Sequence, residues 1–139
     1  MNPIQLLRVM LFFFISACSF CLLASCSPKI TFQQSTIVPA ARGTIKIKSD
    51  DNKNHVIKMK LSYLAEPERL NPPKKCYVVW LIANNNTTQN IGQIKTSHKL
   101  NVYFETVTSF KPSKIFITAE DSPGVEFPSS MIVLSTSNF

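Results

Sequence analysis

The side chains in this sequence whose placement invites chemistry are a thiol, a pair of carboxylates and two imidazoles. The thiol, Cys26, closes an apolar run that begins at Val9 and stands directly behind Leu23 and the small residues Ala24 and Ser25. Small neighbours let an enzyme approach the backbone, and a thiol at that point can be acylated. The carboxylates Glu66 and Glu68 bracket Pro67, the order of a paired acid and base, but in so polar a loop they read as solvated. His55 opens a strand-like run and His98 lies in Thr96-Ser97-His98-Lys99. Neither has a Cys, Asp or Glu at ligand or triad spacing, so both read as surface histidines. No Gly-rich phosphate loop, nucleophile elbow or HExxH helix is present, so the sequence predicts no enzyme and no cofactor.

Leu23-Ala24-Ser25-Cys26 resembles the lipobox of a bacterial lipoprotein. The preceding residues have the order of a secretory signal: a cationic start (Arg8 and the terminal amine), an apolar stretch, then small residues. Residues 9–24 are shorter than the roughly 20 apolar residues a spanning helix needs, which disfavours an uncleaved anchor. The resemblance implies a signal peptide over residues 1–25, processed at Leu23, Ala24 and Ser25. Cys26 would then be the lipidated first residue of a mature protein of the cell envelope. Each buried acyl CH₂ contributes about 0.8 kcal/mol, so two or three palmitate-like chains hold a protein on a membrane indefinitely. Ser27 stands where some inner-membrane lipoproteins carry a retention Asp, which points to the outer membrane, facing the periplasm.

Without the leader, fourteen basic and eight acidic residues remain, a formal charge of +6. They form no like-charge block of the kind that makes a nucleic-acid tail, so no nucleic-acid partner is expected. Cys18 and Cys21 leave with the leader and Cys26 is acylated. Cys76 is then alone, so no internal disulfide or metal site is available and the fold depends on its core. Residues 26–42 read as a lipidated tether, of about 20 Å r.m.s. span if flexible.

From Gly43 to Phe139 the pattern is that of strands. Thr44-Ile45-Lys46-Ile47-Lys48 alternates, and in His55 to Tyr63 the residues Ile57, Met59, Leu61 and Tyr63 oppose Lys58, Lys60 and Ser62. Together these predict a hairpin with its lysines outward. Pro67, Pro72 and Pro73 make Ala65 to Lys75 a loop. Tyr77 to Ala83 is apolar on both faces, as a central strand is. Further strands are expected at Asn90–Lys95, Leu100–Thr106, Lys114–Ala119 and Met131–Ser135, with Glu120-Asp121 in a turn. The prediction is an all-β fold, a single antiparallel β-sandwich of about seven strands.

Tyr77-Val78-Val79-Trp80-Leu81 with Asn90-Ile91-Gly92-Gln93-Ile94, and Thr118-Ala119-Glu120 with Pro128 and the closing strand, resemble the C-terminal domain of anti-sigma-K factors. The resemblance spans roughly Gly43 to Ser135. It implies that Tyr77 and Trp80 are core residues and Gly92 a bulge or close-approach point. Its zinc-motif domain and spanning helix have no counterpart here. The expectation is a non-catalytic, lipid-anchored binding or structural module for an unidentified envelope component, with Tyr103, Lys58 and Lys60 as contact surface. The alternative is a regulatory component of extracytoplasmic anti-sigma signalling acting through a membrane partner.

Overall fold

A computed structural model describes residues 2–19, 27–96 and 100–139. Leu23, Ala24, Ser25, Cys26 and His98 therefore lie outside the described residues. Residues 3–19 form one helix, α1 (Pro3–Ser19), with Ile4, Leu7, Met10, Leu11 and Phe12 exposed. Among the described residues no helix is long and apolar enough to cross a membrane.

Eight strands follow: β1 (Lys29–Thr31), β2 (Arg42–Ser49), β3 (His55–Ser62), β4 (Cys76–Ala83), β5 (Thr88–Ile94), β6 (Asn101–Thr108), β7 (Pro112–Glu120) and β8 (Ile132–Ser135). They make two four-stranded antiparallel sheets packed as a β-sandwich, sheet A in the order β1-β2-β3-β6 and sheet B in the order β5-β4-β7-β8. The core between them joins Ile45, Ile57, Met59 and Leu61 of sheet A to Tyr77, Val79, Leu81, Ile115 and Ile117 of sheet B. Period-two alternation in β2 and β3 puts isoleucine, methionine and leucine inward and lysine outward.

Two expectations about the first half of the chain need correction. The segment expected to be a tether is largely part of the sandwich: β1 pairs with β2, the Phe32 amide donates to the Gly43 carbonyl (3.1 Å), and that of Gln33 to the Ser135 carbonyl of β8 (2.8 Å). Ser35, Val38 and Ala41 are buried behind it, and the Val38 amide donates to the Ser35 hydroxyl. A three-residue strand is too short to show a period. Tyr63, expected on the core face of β3, instead lies beyond the strand. Its φ is +56°, its amide donates to the Leu100 carbonyl, and its ring is exposed.

Candidate functional site

The outer face of sheet A collects the charge. Outward positions of β1, β2, β3 and β6 align by register into rows that cross the sheet. One row reads Lys29, Lys46, Lys58, Glu105; the next reads Thr31, Thr44, Lys60, Tyr103. Lys29 stands directly opposite Lys46, and Lys46 directly opposite Lys58. Like charges so placed repel. The acid in the row, Glu105, pairs with Lys58 at 3.2 Å, both groups more than half exposed, so the bond adds little stability.

Tyr103 is 72% exposed, and the Lys60 ammonium lies 5.8 Å from its ring centre, within cation–π range. Together Lys29, Thr44, Lys46, Lys58, Lys60 and Tyr103 line an open trough of about 300 Å³. A neighbouring depression of about 200 Å³ extends it to Arg42 and Ser62. The arrangement can hold anions by mobile ammonium groups around an amphipathic ring.

The outer face of sheet B is different. Cys76, Val78, Trp80 and Phe116 form a second apolar cluster there. Trp80 is fully buried, but on the face that looks away from sheet A, and stacks on Phe116 with ring centres 6.3 Å apart. Residues 121–131 fold over this cluster as a strap. The Asn90 amide group donates to the carbonyls of Pro123 (2.9 Å) and Val125 (3.1 Å) on one side. On the other, the Ser129 amide donates to the Glu120 carboxylate at 2.8 Å.

Beneath the strap runs a polar chain. Trp80 Nε1 donates to Thr118 Oγ1 (2.8 Å), which donates to Glu120 Oε1 (2.5 Å). Glu120, expected in a turn, is the last residue of β7 and is buried. Cys76, the first residue of β4, points its thiol at the Glu120 carbonyl (3.5 Å). Burial, then the charges of Glu120 and Asp121, push that thiol above its ordinary pKa.

Tyr77 is fully buried in the inter-sheet core, its hydroxyl donating to the Ala65 carbonyl at 2.9 Å; burial raises its pKa strongly, with a smaller contribution from Glu68. Gly92 has φ +137° and lies where the β4–β5 register shifts by one residue, with Ile91 the extra residue of a bulge. A Cβ there would stand 3.1 Å from the Phe104 ring.

The carboxylates and His55 are not brought together. Glu66 pairs with Arg69 (3.2 Å) around a 3-10 turn, Pro67–Arg69, that follows the far end of β3. His55 opens β3, eight residues and about 24 Å of strand away. It lines a shallow groove of about 210 Å³ with Pro28, Ile30, Ile47 and Phe139. Among the described residues no three His, Cys, Asp or Glu side chains are grouped to hold a metal ion.

The sequence singled out Tyr103, Lys58 and Lys60 but missed Lys29 and Lys46 as their neighbours. Alternation places each lysine outward within its own strand, whereas the row exists only once the register is known. No family model, curated protein or solved structure matches this chain. The resemblance to the anti-sigma-K C-terminal domain thus rests on its motif residues alone.

Proposed function

We propose that this chain is a lipid-anchored lipoprotein of the bacterial cell envelope. Its β-sandwich is a non-catalytic binding or structural module, held through Cys26 on the outer membrane and facing the periplasm. It meets its envelope partner through the outer face of sheet A.

The observation that carries the reading is the row Lys29–Lys46–Lys58, three ammonium groups aligned across neighbouring strands with one acid at its end. Such a row costs stability in the free protein, and a partner of opposite charge offsets that cost and is drawn in by the field. Exposed Tyr103 adds apolar contact at the same place.

Two measurements in cells test the reading. Labelling with an alkyne fatty acid should tag the protein, and Cys26→Ala should abolish the tag and leave an uncleaved precursor; unchanged labelling removes the anchor. Lysine acylation in intact envelopes, read by mass spectrometry, should be slower at Lys46, Lys58 and Lys60 than in detergent-purified protein. Equal rates remove the contact face.

A further inference from the structure

The partner of this face can be named by chemistry. We infer that it is the anionic headgroup layer of the membrane that holds the chain, so that the sandwich lies on its side with sheet A against the lipid. The inference deepens the proposed function and rests on it for the lipid at Cys26.

Charge partition is the first argument. Arg42, Lys29, Lys46, Lys48, Lys58 and Lys60 stand at outward positions of sheet A, where Glu105 is the one acid. Six cations against one anion place five of the mature chain's six net positive charges on this face. The remaining eight basic and seven acidic residues nearly cancel. A flat cationic sheet opposed to a balanced remainder suits a flat anionic surface, which attracts lysines within a Debye length.

Distance is the second. Lys29, outward-facing on edge strand β1, is three residues from Cys26. Three peptide units reach at most about 11 Å. A lipid on Cys26 therefore enters the bilayer beside this face, and the short link holds the lysines where the surface potential is strongest.

The third is the form of the trough. Its charged groups are ammonium ions on flexible stems, which meet phosphate oxygens as point charges rather than in a fixed fork. Tyr103 pairs an apolar ring with a polar tip, the side-chain type favoured where hydrocarbon meets water. Sheet B and its strap then face away from the membrane.

The test uses the full processed protein, purified from membranes and reconstituted into vesicles of phosphatidylcholine with or without phosphatidylglycerol. Lysine acylation is again read by mass spectrometry. On the anionic vesicles the rates at Lys29, Lys46, Lys58 and Lys60 should fall about fivefold, the factor equivalent to about 1 kcal/mol per lysine. High salt should restore them, and Lys75 and Lys114, on sheet B strands or beside them, should not change. The exposed double substitution Lys58→Gln/Lys60→Gln should reduce protection at Lys46 while leaving the melting temperature near that of the parent.

Equal rates on the two vesicle types, or protection indifferent to salt, overturn the inference. So does protection of sheet B lysines instead. The mass of the peptide beginning at Cys26, from the same spectra, separates this failure from failure of the anchor. Protection in intact envelopes but not on anionic vesicles leaves the contact face standing and refutes the lipid as its partner.

Discussion

Trp80 Nε1 donates a 2.8 Å hydrogen bond to Thr118 Oγ1 between adjacent strands β4 and β7, on the face of sheet B turned away from the other sheet. This bond joins a fully buried ring to the Glu120 carboxylate beneath the strap, so the domain has a second, smaller core.

That core should be sensitive to loss of its acid. Glu120→Ala leaves the Thr118 hydroxyl and the Ser129 amide without their acceptor, and buried unsatisfied groups cost about 1–3 kcal/mol each. Urea unfolding followed by Trp80, the single tryptophan of the chain, should show a loss of about 2–4 kcal/mol. A midpoint unchanged from the parent means that the strap does not depend on Glu120.

Gly92→Ala should destabilise by about 1–3 kcal/mol, the usual range for a non-glycine residue forced into a sparsely populated backbone region. The cause is φ +137° together with the Phe104 ring at 3.1 Å. Chemical denaturation of both proteins under one set of conditions measures it. Phe104→Leu relieves the crowding but not the backbone, so it should recover only a fraction of the loss.

Asp50 should make the β2–β3 turn acid-sensitive. Its carboxylate accepts from the Asn54 side chain (3.1 Å) and from the Asn54 and Asn52 amides (2.8 and 2.9 Å). These bonds, the Asn54 side chain foremost, hold its pKa below the ordinary 3.8. A depressed carboxylate contributes stability above its unfolded pKa and loses it as pH falls through the folded one. The melting-temperature gap between parent and Asp50→Ala should thus be full above about pH 5 and close as pH falls below 3.8. A gap that is constant with pH refutes the role of the charge.

The thiol of Cys76 should be silent until the domain opens. It is buried at the end of β4 and its pKa is raised, and the thiolate is the reactive form. Native protein should not react with a disulfide reagent at neutral pH, and urea should release one thiol per processed, acylated chain. Two thiols would mean that the sulfur of Cys26 is free, and four that the leader with Cys18 and Cys21 is still attached.

The pattern of residues made some of this architecture readable and hid the rest. Alternating isoleucine and lysine gave β2 and β3 away, because one face had to be dry and the other wet. Cys76 to Ala83 is apolar at every position, so parity could place Trp80 in a strand but not on a face. The face is decided by residues 121–131, whose Glu, Asp, Ser and Pro content reads as an ordinary turn. β1 escaped notice because Ile30 alone cannot make a period. The lysine-rich face was half visible: Lys58 and Lys60 share a strand, but Lys29 and Lys46 join them only through pairing between strands. Cys26 belongs to the stretch of chain outside the described residues, and its role rests on its sequence context.

β1 has a mechanical consequence. It is three residues long, lies at the edge of sheet A and is paired on one side only, with β2. Any pull arriving from the N-terminal side loads it before any other strand. Drawn away from the sheet, it loses its hydrogen bonds in succession instead of together, so little force suffices. The first strand of the sandwich is therefore a fuse: it yields first and lends its own three residues of slack before the load reaches the rest of the sandwich.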